Sequence, residues 1–469
     1  MYFIKTIGGD FMAYTVSSDF SKGKVWKNIV RLAVPMILAQ LINVLYSVVD
    51  RIFVGHIPGA SAWAMTGIGL ALPIITIITA FTNLFGMGGS PLFSMARGAG
   101  DSQKAEKIMG NTFSMLIITG IILVVICFMF KKPLLYLFGA SDVTYPYARD
   151  YINIYLLGTI FAMISIGLNS FINAQGFGLT GMLTVSIGAV FNLLLDPLFI
   201  FVFNFGIKGA ALATVISQFV SAVWVLKFLT GKKAVINLKK RSMPVDFGLV
   251  KEIASLGFSG FIMSVTNGTV QIVCNATLQL YGGDVYVAIM TVLNSVREIV
   301  HLPANGLTSG SQPVLSFNYG AGKYDRVKSA IKFVTISCIV ITLISWGFII
   351  LFPKFLIGIF NSDTELLEKG VPAMYMYFFG IFMMAFQFAG QSIFVALGKS
   401  KQAVFFSIFR KVIIVVPLTL ILPKIAGLGT SGVFIAEPVS NFIGGSACYI
   451  TMLLTVWRKL GKEDRNSGN

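Results

Sequence analysis

Charge is scarce in this chain. Only 12% of its 469 residues are Asp, Glu, Lys or Arg, and just 19 are acidic, where a soluble domain carries about 25% charged residues. Histidine is limited to two residues and cysteine to four. His56 and His301 stand alone, and Cys127, Cys274, Cys338 and Cys448 lie in apolar stretches without CxxC or Cys/His spacing. That excludes a sequence-encoded metal site or thiol redox motif, and the cysteines read as small buried hydrophobes. No P-loop, G-x-S-x-G, HExxH or phosphate-cradling glycine loop is present, so no enzyme chemistry, ATP use or cofactor is expected. The first 28 residues hold no apolar core with a small-residue cleavage site, so no signal peptide is expected, and Met12 is an alternative start to Met1.

Apolar sequence is abundant instead. Hydrophobic residues make up 56% and the mean hydropathy is +0.82. Runs long enough to cross a bilayer core of ~30 Å recur along the whole chain. Twelve are predicted, near 29–54, 64–92, 111–130, 151–174, 182–203, 209–229, 253–281, 285–309, 329–352, 371–397, 403–422 and 430–457. The fold class expected is an all-α polytopic membrane protein.

The chain also repeats itself. Ser90-Pro91-Leu92-Phe93-Ser94-Met95-Ala96-Arg97-Gly98-Ala99-Gly100 returns as Gln312-Pro313-Val314-Leu315-Ser316-Phe317-Asn318-Tyr319-Gly320-Ala321-Gly322. The same shift of 222 residues sets Tyr155 on Tyr377, Ala174 on Ala396 and Gly176 on Gly398 without a gap. Six helices per half make this a parallel internal repeat, an arrangement used by secondary transporters. The organisation expected is an amino-terminal arm (1–28), a six-helix lobe (29–230), a basic linker (231–250), a second six-helix lobe (251–457) and a tail (458–469). The glycines around Gly86-Met87-Gly88-Gly89 read as close helix packing.

Lys and Arg total 36, and the net charge is +17. With both termini cytoplasmic, about 25 of these bases fall on the cytoplasmic side. The outer loops then hold Lys131, Lys132, Lys208, Lys354, Lys369 and Lys424. The positive charge is therefore topology, scattered over short loops, and nucleic-acid binding is not expected. The run from Lys232 to Arg241 reads as a linker lying near anionic headgroups.

Ionisable groups inside apolar helices are costly and normally face a cavity or a partner. Helix one carries Gln40, Asn43, Tyr46 and Asp50 at spacings of three, three and four, which is one helical face. Helix five carries Asn192 and Asp196 one turn apart, and helix six carries Thr214. Two carboxylates, an amide and a hydroxyl suit a proton or a hard cation such as Na⁺. The structural alternative is an Asp50–Arg51 pair and an Asp196 that caps a break before Pro197. The carboxy-terminal half has its own intramembrane charges, Arg297, Glu298, Arg410, Lys411 and Glu437. Mutual ion pairing is one reading of them, and attraction of a cationic substrate by Glu298 or Glu437 is the other. Pro35 interrupts the hydrogen-bond ladder of helix one and weakens it there.

Three stretches carry a resemblance to a known family. They are Arg31-Leu32-Ala33-Val34-Pro35-Met36-Ile37 leading to Val48-Val49-Asp50-Arg51-Ile52-Phe53-Val54-Gly55, then Asn192-Leu193-Leu194-Leu195-Asp196-Pro197-Leu198-Phe199-Ile200, then Gln312 to Gly322. Together they resemble the multidrug and toxic compound extrusion (MATE) transporters from about Lys27 to Trp457. The resemblance implies a V-shaped pair of six-helix lobes that exports cationic amphiphilic compounds against H⁺ or Na⁺. A monomer in the cell membrane is expected. It implies an ion site of Asp50, Asn192, Asp196 and Thr214, which would also hold any Na⁺. It further implies a cavity lined by Asn43, Tyr46 and Asn169, to which Gln40, Arg297, Glu298 and Glu437 are added as candidates. Helices seven and ten lack the acids of one branch of the family, so the chain looks closer to its DinF-like and MepA-like branch. A lipid-linked precursor flippase of the same two-lobe architecture is the alternative function.

Overall fold

The structure is a computed structural model that describes residues 19–57, 61–360, 363–425 and 427–461. The expected arm before Asp19, the alternative start at Met12 and the tail beyond Gly461 lie outside the described residues. Among those described there is no strand, and twelve helices are long and apolar enough to cross a membrane. They are α1 (Val25–Gly55), α2 (Trp63–Gly98), α3 (Ser102–Leu137), α4 (Tyr145–Ala174), α5 (Gly178–Val202), α6 (Ile207–Thr230), α7 (Phe247–Gly282), α8 (Asp284–Gly320), α9 (Tyr324–Leu351), α10 (Thr364–Ala396), α11 (Ser400–Lys424) and α12 (Gly429–Gly461). A helix satisfies its own backbone, which is why an apolar chain facing lipid takes this form throughout.

Two compact units result. One is built on Val34–Gly257, and the other on Lys22–Ala33 together with the chain from Phe258. The helix ends explain the sequence repeat. Gly100 and Gly322, and likewise Gly176 and Gly398, are equivalent under the 222-residue shift, and all four have positive φ. Each lets a helix end in the left-handed turn that closes a six-to-one hydrogen bond, as from Asp101 N to Ala96 O (3.0 Å) and from Lys323 N to Asn318 O (2.9 Å). The repeated motif also occupies the same place in both units. Arg97 Nη1 donates to the Ala174 carbonyl at 3.0 Å, and Ser316 Oγ donates to its counterpart, the Ala396 carbonyl, at 2.6 Å. Different side chains thus satisfy the same orphan carbonyl at a helix C-terminus.

Small residues bring helices of the first unit into contact. A Cβ on Gly86 of α2 would stand 2.8 Å from Gly167 Cα of α4, so only glycine fits there. Phe93 and Phe171 meet edge to face beside this seam, with ring centroids 5.3 Å apart. The basic stretch after α6 is fastened to the same unit. Glu106 of α3 is 3.1 Å from Lys239 Nζ and 2.9 Å from Arg241 Nε. Gln175 Oε1 accepts from Ile236 N, and Ser114 Oγ donates to Met243 O. Its own Ala234, Ile236 and Leu238 are buried. This segment is a packed strap, held by Glu106 and by its buried apolar side chains.

Candidate functional site

Polar side chains of the first unit gather toward the C-terminal ends of α1 and α5 and the N-terminal halves of α4 and α6. Asp196 and Asn192 are fully buried, and Thr214 is nearly so. Asn192 Nδ2 donates to Thr214 Oγ1 at 3.4 Å, and that hydroxyl donates to the Ala210 carbonyl at 3.0 Å. The carboxyls of Asp50 and Asp196 adjoin each other within hydrogen-bonding range. Yet neither Asp196 oxygen has a donor, and Asp50 Oδ1 and Asn192 Oδ1 also lack one. Two ionised carboxylates cannot hydrogen-bond to each other, because both only accept. The contact becomes a bond when one of them holds a proton, or when a cation lies among the four oxygens.

The structural roles considered for these acids are not seen. Arg51 is exposed and forms no close ion pair with Asp50, although its charge still acts on that carboxyl. Asp196 caps nothing, because both of its oxygens are unpartnered. The helix passes Pro197 through a π-helical turn, Leu198–Val202, closed by Phe203 N to Leu198 O. Such turns absorb a proline without a cap.

Tyr46 reaches the same cluster, with its hydroxyl beside Thr214. Gln40 and Asn43 continue the face of α1 away from the acids, and Asn43 is exposed. Asn169 is not brought to the cluster. It lies fourteen residues beyond Tyr155 on α4, about 21 Å of helix, where its Nδ2 donates to the Gly181 carbonyl at 3.1 Å. Three site residues escaped the sequence reading. Tyr151 packs its hydroxyl near Thr214, Tyr155 stacks on Tyr151 at 6.1 Å, and Gln218 neighbours Tyr155. The signal was present: Tyr151 and Tyr155, like Thr214 and Gln218, are polar pairs one turn apart on apolar helices.

The second unit collects the other intramembrane charges. Glu437 of α12 is buried and accepts from Arg410 Nη1 at 3.0 Å and from Lys411 Nζ at 3.3 Å. Arg410 also donates to Asn441 Oδ1 at 2.9 Å. Both bases sit in the π-helical turn Phe409–Val415, and Asn441 opens another, Asn441–Gly445. Gly444 leaves room for Arg410, whose Cγ would stand 2.7 Å from a Cβ placed there. Arg297 donates to the Tyr377 hydroxyl at 2.6 Å. Glu298 follows Arg297 in sequence but projects elsewhere on α8; it is exposed and makes no ion pair among the described residues. Ion pairing therefore binds Arg410 and Lys411 to Glu437 and leaves out Arg297 and Glu298. Among the described residues no group of His, Cys, Asp and Glu has the makings of a metal centre of three or more such ligands.

Two six-helix units with polar clusters inside the membrane define a polytopic transporter fold. A family model described as MatE matches residues 35–198 and again 259–421, once in each half of the internal repeat. The chain belongs to the MatE family, and is a membrane transporter and not an enzyme. Multidrug export protein MepA of Staphylococcus haemolyticus (strain JCSC1435) is 25% identical over 428 residues, 90% of this chain and 93% of that protein. MepA of Staphylococcus aureus (strain NCTC 8325 / PS 47) is 25% identical over 438 residues, 93% and 95%. An outward-facing multidrug resistance MATE family transporter of the MOP superfamily shares the fold with a TM-score of 0.88 at 21% identity, covering 96% of this chain and 99% of that one. A MATE structure in the bent conformation gives 0.89 at 21% identity, covering 97% and 100%.

Proposed function

We propose that the chain is a multidrug exporter that carries cationic amphiphilic compounds out of the cell by antiport with H⁺ or Na⁺, with Asp50, Asp196, Asn192 and Thr214 as the coupling site. The relatives named for multidrug export support the cargo class. The observation that carries the coupling is the set of four buried acceptor oxygens with no donor among them. An ion that fills the site supplies the missing positive charge, and an amphiphilic cation drawn to the same acids competes with it. Linkage then makes the effects reciprocal: whatever weakens drug binding when the ion binds also weakens ion binding when the drug binds. In this reading the protein works as a monomer in the cell membrane with both termini cytoplasmic.

The test uses purified protein in liposomes, with dye movement followed under imposed pH or Na⁺ gradients. Wild type moves dye in response to one of the gradients, and Asp50→Asn and Asp196→Asn insert normally but lose that response. Wild-type rates from either variant would sink the coupling site. Export of a lipid-linked precursor is the second reading, favoured by the surplus of cations around Glu437. Movement of a lipid-phosphate probe with no movement of cationic dye would select it.

A further inference from the structure

The cluster in the second unit does not balance its charges. Arg297, Arg410 and Lys411 gather around a single carboxylate, Glu437. Two of the three are guanidiniums, which stay charged in any protein environment, so cations outnumber the carboxylate even with Lys411 neutral. Glu298 acts on Arg297 electrostatically, but it is exposed and forms no ion pair among the described residues, so solvent screens what it offsets. His301, one turn beyond Arg297, is half-buried with its Nε2 buried and unpartnered, and it adds no negative charge. Arg297 is the cation left over. Its hydrogen bond goes to a neutral hydroxyl, and no carboxylate among the described residues lies within ion-pair distance of it. An uncompensated charge in a membrane protein is costly and faces a cavity or an absent partner.

A small cleft of about 10 Å³, room for roughly one water-sized group, lies beside it. Arg297, Lys411, Glu437 and Tyr377 line its inner part, with Asn294 half-buried next to them and Asn267 at the exposed mouth. The Asn267 and Asn294 amides make no hydrogen bond among the described residues, so their N–H groups are open to a ligand. The Tyr377 hydroxyl accepts from Arg297 and keeps its own proton to donate. The internal repeat sharpens the contrast. Tyr377 is the counterpart of Tyr155, which stands by the acidic cluster of the first unit. Equivalent positions thus serve an acidic site in one unit and a basic one in the other.

We propose that this cleft is a subsite for the anionic group, carboxylate or phosphate, of an amphiphilic molecule, with Arg297, Lys411, Tyr377 and Asn294 as its donors. A planar guanidinium with free N–H groups suits either anion in a two-point contact. The anion reduces the excess of positive charge around Glu437. The proposal leans on the export reading only to say that one source of the anion is a zwitterionic cargo; the other is an anionic lipid headgroup. Binding is measurable without transport, so failure of coupled export leaves the subsite standing, and the reverse holds too.

The experiment measures fluorescence anisotropy of two dyes with the purified wild-type protein. Rhodamine 110 carries a free carboxylate, and rhodamine 123 is its methyl ester on the same cationic ring system. The acid is expected to bind at least tenfold more tightly than the ester, and Arg297→Gln to collapse that ratio to near one, with Arg297→Lys between. Dioctanoylphosphatidylglycerol that displaces the acid, where dioctanoylglycerol does not, assigns the site to a lipid headgroup. Failure of both lipids to displace it assigns the site to the exported compound. Equal affinity of wild type for acid and ester overturns the proposal, whatever the fate of the variants. So does a ratio that Arg297→Gln leaves unchanged.

Discussion

Asp196→Asn is expected to stabilise the ion-free protein while removing its response to the coupling ion. The two Asp196 oxygens, Asp50 Oδ1 and Asn192 Oδ1 are buried acceptors without a donor. Each unsatisfied buried group costs roughly 1–3 kcal/mol. An asparagine keeps the shape of Asp196, removes one of two adjoining negative charges and brings an NH₂ group. One or two of the stranded acceptors then gain a donor, for a gain of about 1–3 kcal/mol in ion-free buffer. The wild type obtains the same relief only from its ion: a ligand at a hundred times its Kd stabilises by about 2.7 kcal/mol. A proton does it by turning one carboxyl into a donor toward the other. The assay is the apparent melting temperature in detergent at one scan rate, with Na⁺ varied against choline and with pH varied separately. Wild type should rise with Na⁺ at fixed pH, or as pH falls without Na⁺, and the active variable names the ion. Asp196→Asn should start higher and stay flat. A variant less stable than wild type in ion-free buffer, still responding to the ion, would refute the argument.

Further outcomes can be checked alongside. Gly86→Leu forces α2 off the Gly167 backbone and should cost on the order of 1–3 kcal/mol by overpacking, read as a lower melting temperature with the charged sites intact. Glu106→Gln removes the anchor of Lys239 and Arg241, both substantially exposed, so its cost should stay at about 1 kcal/mol and shrink with salt; its clearer mark is faster proteolysis between residues 231 and 247. Cysteines placed at Asp142 or Asp363 should react with an impermeant reagent from outside the cell, and one at Lys240 should not, since the basic loops belong on the cytoplasmic side. Reversed labelling would overturn that orientation. A cysteine at Gly59, which lies outside the described residues, is expected to label from outside as well.

Much of this protein was legible without coordinates, for identifiable reasons. Transfer of a segment into lipid depends on its own composition, so hydropathy alone located twelve helices. Local periodicity placed Tyr46 with Asp50, and Asn192 with Asp196, because residues three or four apart share a helical face in any context. The repeat and its paired glycines were visible because turn geometry demands particular residues at particular steps. Tertiary structure decided which faces met. That Asp50 stands against Asp196, and that Tyr151 and Tyr155 join them from α4 while Asn169 does not, follows from packing among helices distant in sequence. Charges adjacent in sequence were separated by about 100° of helical rotation, which sent Arg297 into a cleft and left Glu298 outside it. The three-to-one imbalance around Glu437 depends on α8, α11 and α12 converging. Composition can count charges, but only a folded chain determines which are buried together and which are left without a partner.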